Sequence, residues 1–139
     1  MTVYTLGNPH LRMRVSAQGA CLLGLEDDKG RPLLRDTYPA QPWHPGQSAL
    51  FPMLPLANRV AGNRFELWGE ACALPASELD PDFFLHGDGW LQRWQPVALT
   101  DSSVTLQLTS QNGPFHYLAE IDYRLQGVSL VARIGLTHL

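Results

Sequence analysis

Two short segments of this sequence combine residue types that could bind an oxygen-rich small molecule. The first runs from Phe51 to Val60 and contains two prolines. Asn58 and Arg59 lie near its end, and Gly62 follows shortly after it. The prolines stiffen the backbone and so hold the guanidinium and the amide in place. Both groups can form hydrogen bonds with hydroxyl or carboxylate oxygens, so this pair is a candidate for binding a polyol. The alternative is that Arg59 pairs with a surface carboxylate or caps a loop carbonyl, as exposed arginines often do.

The second segment places an imidazole between aromatic residues and glycines. His86 is followed by Gly87, and Gly89 and Trp90 come directly afterwards. Glycine lets a ligand approach the backbone, aromatic rings can stack on the apolar face of a sugar, and histidine transfers protons near neutral pH. His86 and Trp90 are therefore candidate site residues. The alternatives are a histidine that bonds the backbone of a tight turn and a tryptophan that packs in the core.

Other residues offer weaker signals for chemistry. Asp80, Asp82 and Asp88 lie near His86 in the sequence and could supply a general base, although a solvated acidic loop is the interpretation we favour. The remaining histidines stand singly, and Cys21 and Cys72 are far apart, so we predict no metal site and no disulfide framework. No phosphate-binding glycine loop or nucleophile motif occurs, which argues against nucleotide folds and hydrolase triads.

Composition limits the class of protein. The chain has 139 residues, 45% of them hydrophobic, and a formal net charge of −3, so we expect one compact domain over 1–139. Nine of its ten basic residues are arginines without a basic stripe, which predicts no nucleic-acid partner. No apolar stretch approaches the roughly 18 residues of a membrane span, and no signal peptide is evident. We therefore expect a cytoplasmic protein without a membrane partner.

Alternating apolar and polar residues predict the elements that must position the two segments. The alternation over 104–136 indicates a three-stranded antiparallel meander, and a looser alternation covers the first third of the chain. The side chains expected to face the core are Leu106, Leu108, Ile121, Tyr123, Leu130 and Ile134. A turn at 27–30 predicts a further hairpin to Leu34. No window sustains a helical period, so the predicted fold class is all-β.

Two long stretches cannot be central strands. Residues 38–62 contain five prolines, among them Pro42, and 74–90 contains two more. Proline removes hydrogen-bond donors from a sheet, yet these stretches are rich in aromatic and aliphatic residues, which argues against disorder. We expect ordered loops that bring Arg59 and His86 together on one concave, partly open surface with Trp90 nearby.

The order and spacing of these blocks resemble the aldose 1-epimerase (galactose mutarotase) family, and the similarity extends over nearly the whole chain. The matching blocks are Gly19-Ala20, Leu33-Leu34, Phe51-Pro52, Asn58-Arg59-Val60 with Phe65, Leu85-His86-Gly87 and Gly89-Trp90 with Trp94. The resemblance implies an antiparallel β-sandwich of the galactose mutarotase type. It also implies interconversion of the α and β anomers of an aldohexose, without a cofactor, by protonation of the ring oxygen, ring opening and reclosure.

The resemblance also assigns roles to residues. It implies that Arg59 binds sugar hydroxyls and that His86 is catalytic, near the ring oxygen or the anomeric group. Asn58 and Trp90 are the other implied contacts with substrate.

The chain departs from the family in length. Members run about twice as long, and the second histidine, the sugar-binding aspartate and the base glutamate of the family have no counterpart before Leu139. We therefore expect the N-terminal half of a sandwich, inactive alone and self-associating, most simply as a homodimer. Two alternatives stay open: a sugar-binding module without catalysis, and a relative of the hexose-6-phosphate epimerases.

Overall fold

The alternating residues form antiparallel strands, as the sequence predicts. The computed structural model of the protein describes residues 1–40 and 43–139, so Pro42 lies outside the described residues. Within them the strands are β1 (Val3–Gly7), β2 (Leu11–Ser16), β3 (Leu22–Asp27), β4 (Arg64–Leu67), β5 (Glu70–Ala73), β6 (Gln95–Leu99), β7 (Ser103–Asn112), β8 (Phe115–Gln126) and β9 (Ser129–His138). The only helical segments in the described ranges are single 3₁₀ turns at Pro45–Gln47, Ala61–Asn63 and Gly89–Leu91.

These strands form two sheets and a separate ribbon, all antiparallel. β1, β2 and β3 form the first sheet, β6, β7, β8 and β9 form the second, and β4 pairs only with β5. The predicted meander is confirmed as β7–β9, with Ile121 of β8 opposite Leu106 on one side and Ile134 on the other. Sequence reasoning missed β6, because Pro96 and uniformly exposed side chains conceal its period of two.

The two sheets face each other across one hydrophobic core. Alternate residues of β2 meet alternate residues of β7 and β8, and Tyr123 reaches across the core to donate a hydrogen bond of 2.7 Å to the carbonyl oxygen of Ala20. Burial raises the pKa of the Tyr123 hydroxyl far above its ordinary value, so this group stays a donor at any physiological pH. The all-β fold predicted from the alternation, and the antiparallel sandwich that the family resemblance implies, are thus confirmed.

One prediction about the core is wrong. Ile134 is 53% exposed and Leu136 is 47% exposed, whereas Leu106, Ile121 and Tyr123 are fully buried. Ile134 pairs with Ile121 and therefore points toward the same side of the sheet as the core, as expected. The side chains of β1–β3 that cover β7 and β8 do not extend over the outer strand. Within the described residues the core thus ends near Leu130, which is half-buried.

The segment after β3 also differs from the prediction. Asp27 caps the turn by accepting hydrogen bonds from the backbone N–H groups of Lys29 and Arg31, both 2.9 Å long. The chain then makes a single bridge from Pro32 to Glu26 and does not form a further strand. A proline at the first paired position lacks a backbone donor, which limits the ladder that can follow.

Candidate functional site

The two proline- and glycine-rich stretches meet through backbone contacts. Leu54 forms a parallel bridge with Gly87, and its carbonyl oxygen accepts a hydrogen bond of 3.0 Å from the N–H of Gly89. Gly87 has a φ of +72°, and a Cβ added there would lie 2.0 Å from the carbonyl oxygen of Leu54. Only glycine permits this close approach. The contact fixes the distance between the segment that carries Arg59 and the segment that carries His86.

His86 and Asn58 hold each other by a reciprocal pair of hydrogen bonds. The N–H of Asn58 donates to Nδ1 of His86 over 2.9 Å, and the N–H of His86 donates to the carbonyl oxygen of Asn58 over 3.0 Å. Both residues have left-handed backbone, with φ of +70° at Asn58 and +61° at His86. Since Nδ1 accepts a hydrogen bond, the proton of the neutral imidazole is on Nε2. His86 therefore offers Nε2–H as a donor.

Arg59 is held by its neighbours on one side and open on the other. Its Nε and Nη2 both donate to Oδ2 of Asp80 over 3.2 Å, and Nη1 donates to Oδ1 of Asn58 over 3.4 Å. The guanidinium has five N–H groups, so these contacts leave one on Nη1 and one on Nη2. With the side chain 47% exposed, the remaining pair can reach a ligand in solvent. Phe83 supports the guanidinium, with Cζ 5.8 Å from its ring centroid.

The electrostatics of the site keep His86 neutral and Asp80 charged. Burial, and secondarily the positive charge of Arg59, lower the pKa of His86 below its ordinary value. The pKa of Asp80 is also lowered, first by the backbone N–H of Asp82 and further by Arg59 and the N–H of Phe83. At neutral pH the site thus contains the uncharged imidazole of His86 and the ion pair between Arg59 and Asp80.

Trp90 lies beneath His86. Its ring stacks on Phe51 with centroids 4.8 Å apart and meets His86 edge-on at 5.5 Å. Its Nε1–H donates to the carbonyl oxygens of Leu85 and Gly87, and the residue is only 1% exposed. Trp90 therefore supports the imidazole in this structure. Direct contact with a sugar stays a prediction, and it would require the ring to be uncovered.

The interpretation of Asp88 as part of a solvated loop is wrong. Asp88 is 3% exposed and accepts hydrogen bonds from the hydroxyls of Tyr117 over 2.7 Å and Ser110 over 2.5 Å, with a further bond from Gln92. The side chain points inward, to donors on β7 and β8. Its carboxylate is occupied by these donors, so Asp88 anchors the loop and does not act as a free base.

Arg59 and His86 lie near each other, as the sequence predicts, and Asn58 bonds to both. That they share one concave surface stays a prediction. A separate cavity of about 670 Å³ lies behind the 84–88 loop, and none of the three residues lines it.

Among residues 1–40 and 43–139, no group of three or more His, Cys, Asp or Glu side chains could hold a metal ion. No helix in the same described ranges has the length and apolar character needed to cross a bilayer.

Sequence reasoning missed the contact between Arg59 and Asp80. The two residues are 21 positions apart, and no motif connects them. One alternative from the sequence is that Arg59 pairs with a surface carboxylate, which is the type of contact observed, but the sequence does not identify Asp80 as the partner. The turn at 80–83, in which Oδ1 of Asp80 accepts from the N–H groups of Asp82 and Phe83, fixes the carboxylate locally but does not indicate its partner.

The fold is of the kind found in galactose mutarotase-like proteins. The structure superposes on a galactose mutarotase related enzyme from Lactobacillus acidophilus with a TM-score of 0.78 at 16% identity, covering 99% of this chain and 43% of that one. It superposes on an aldose epimerase homologue from C. elegans with a TM-score of 0.76 at 18% identity, covering 99% and 46%. At these identities the likeness concerns the fold alone.

Sequence comparison establishes the family. The family model for aldose 1-epimerase matches residues 2–134. The chain is 36% identical to the uncharacterized protein YphB of Escherichia coli K12, covering 99% of this chain and 47% of that protein. A crystal structure of a candidate aldose 1-epimerase from the same organism superposes with a TM-score of 0.89 at 36% identity, covering 99% and 46%. The chain belongs to the aldose 1-epimerase family, and it spans about half the length of these relatives.

Proposed function

We propose that the surface formed by Asn58, Arg59 and His86 binds the ring of an aldohexose, and that a protein of the relatives' length containing this chain interconverts its anomers. The observation that carries the proposal is the bond from the N–H of Asn58 to Nδ1 of His86. It leaves the Nε2–H of a neutral imidazole as a donor, and Arg59, which has two open N–H groups, is near enough for its charge to lower the pKa of His86. Three donors on one surface suit the oxygens of a polyol.

Each donor then has a defined role. Arg59 holds two neighbouring hydroxyl groups through Nη1 and Nη2, because its fork matches a pair of adjacent oxygens. His86 donates Nε2–H to the ring oxygen and stabilises the negative charge that develops on that oxygen as the ring C–O bond breaks, while a base removes the proton of the anomeric hydroxyl, which becomes the aldehyde carbonyl. A neutral histidine can act as an electrophile in this way when its environment lowers its pKa.

The second proton transfer needs a base, and the nearby carboxylates are engaged. Asp80 is paired with Arg59, and Asp88 accepts from Tyr117 and Ser110. This favours a second candidate function for the 139-residue chain by itself, which is sugar binding without turnover. General acid–base assistance contributes about 10² to 10⁴ in rate for each group, so a missing base leaves little catalysis.

Polarimetry on freshly dissolved α-D-glucose and α-D-galactose tests the proposal. We expect the 139-residue chain to leave the rate of mutarotation at that of buffer, and a version extended to the length of its relatives to accelerate it. His86→Ala in the extended protein should remove most of the acceleration. Rapid mutarotation by the 139-residue chain that survives Asp88→Asn would place a base elsewhere in these residues, and an extended protein without activity would contradict the proposed reaction.

A further inference from the structure

We propose that Asp80 is a positioning and specificity-determining residue, which orients Arg59 for hydroxyl groups and makes the site select a neutral hexose over a phosphorylated one. The inference rests on the proposed function, because it concerns the same sugar surface. It addresses a question that the sequence leaves open, namely whether the sugar carries a phosphate.

The orientation of Arg59 follows from which of its N–H groups are occupied. Asp80 takes the side of the guanidinium formed by Nε and Nη2 through one oxygen, with both distances 3.2 Å. The end of the guanidinium, where Nη1 and Nη2 each keep one N–H, is thereby turned away from Asp80. Without this partner the long arginine side chain would sample several rotamers and lose the fixed direction of its fork.

Asp80 is itself held rigidly, which makes it an effective anchor. Its other oxygen, Oδ1, accepts from the backbone N–H of Asp82 over 2.9 Å and of Phe83 over 3.2 Å. These bonds, together with Arg59, lower the pKa of the carboxyl group, so it is ionised throughout the neutral range. Its side chain is only 18% exposed, against 47% for that of Arg59. The carboxylate thus serves as a fixed element to which a more mobile cation is attached.

The selectivity for a neutral sugar over a phosphorylated one follows from the charges around Arg59. An unpaired arginine attracts a phosphate group strongly and bidentately, whereas here the charge of Arg59 is already compensated by Asp80. His86 adds no positive charge, because its pKa is lowered. Hydroxyl groups need only donors, so the site suits a neutral sugar and gives a dianionic one no net attraction.

The test compares two isosteric variants of the 139-residue chain. Asp80→Asn removes the charge beside Arg59 and keeps an oxygen that can cap the turn, and Asp82→Asn removes the same charge two residues away. Binding of D-galactose and of D-galactose 6-phosphate is followed by NMR titration of the ¹⁵N-labelled chain. We expect Asp80→Asn to tighten binding of the phosphate relative to galactose by about fivefold, as loss of one charge near a dianion predicts. Asp82→Asn should change the ratio by less than about twofold, because screening weakens a solvated charge.

A second readout separates positioning from a loss of folding. Asp80→Asn leaves the charge of Arg59 uncompensated, so the pKa of His86, measured by NMR, should fall further. A variant that is merely less well folded would weaken both sugars equally and bring this pKa back toward its ordinary value. If the unmodified chain binds neither sugar, the proposed function fails and the inference falls with it. If it binds galactose and Asp80→Asn leaves both the ratio and the pKa of His86 unchanged, only the inference is overturned.

Discussion

The imidazole of His86 accepts a hydrogen bond of 2.9 Å from the backbone N–H of Asn58, and the backbone N–H of His86 donates one of 3.0 Å to the carbonyl oxygen of Asn58, although the two residues lie 28 positions apart. This reciprocal contact joins the two loops that carry the candidate site. It also determines which ring nitrogen of His86 bears a proton, and hence which chemistry the imidazole can perform.

We predict that the stability of the chain decreases as the pH falls below about 6.5, the ordinary pKa of histidine. The pKa of His86 is lowered in the folded state, so the unfolded chain binds more protons in this range and acid favours unfolding. Above the unfolded value the contribution is fully present. Urea denaturation at a series of pH values measures the effect. His44, whose pKa is also lowered by burial, contributes in the same direction, so His86→Gln should remove part of the dependence.

The same reasoning predicts that sugar binding weakens on acidification. Protonation places a hydrogen on Nδ1, where it would meet the N–H of Asn58, so the loop must rearrange when His86 becomes charged. Titrations with D-galactose at pH values above and below the pKa of His86 measure this loss. An affinity that rises on acidification would show that the charged imidazolium is the binding form.

Gly87→Ala should disrupt the site, whereas Gly113→Ala should not. Both glycines have positive φ, so alanine strains the backbone at each by about 1 kcal/mol. At Gly87 the added Cβ would also lie 2.0 Å from the carbonyl oxygen of Leu54, whereas nothing lies within 4 Å at Gly113. We expect Gly87→Ala to lower the free energy of unfolding by about 1–3 kcal/mol more than Gly113→Ala. Equal effects in chemical denaturation would mean that the loop contact is not a constraint.

Trp90→Ala should cost about 3–5 kcal/mol of stability, as expected when a buried aromatic side chain leaves a cavity. It should also release His86, because the indole contacts the imidazole and bonds the carbonyl oxygens of Leu85 and Gly87. Trp68 is 89% exposed, so Trp68→Ala is the matched control and should change stability little. If Trp90→Ala left stability unchanged but abolished sugar binding, Trp90 would be a direct contact.

We expect the 139-residue chain to self-associate through the core-facing side of β9. Ile134 and Leu136 are about half exposed there, and an apolar sheet face of this kind favours association. Ile134→Lys should shift the chain toward monomer in light scattering, while Thr137→Lys, on the opposite side of the same strand, should not. A monodisperse monomer at micromolar concentration would contradict the expectation.

The sequence predicts the sheets well because each buried strand carries its own signal. The alternation of Leu106 with polar neighbours, and of Ile121 with its own, is sufficient to define β7 and β8. The exposure of Ile134 could not be predicted, because alternation shows which side of a sheet a residue faces but not whether another layer covers it. Asn58, Arg59 and His86 could be grouped from residue type, whereas the inward turn of Asp88 depends on donors 22 and 29 positions away.

The most direct test of the account is an NMR titration of the ¹⁵N-labelled chain with D-galactose, observing the side chains of His86 and Arg59. We predict that the Nε2 resonance of His86 and the guanidinium resonances of Arg59 shift together with one dissociation constant. The Nε1–H resonance of Trp68, which lies exposed at the turn between β4 and β5, should stay in place. Arg59→Ala should abolish the shift of His86 without unfolding the chain. Shifts elsewhere in the protein with His86 and Arg59 unchanged would show that this surface is not the sugar site.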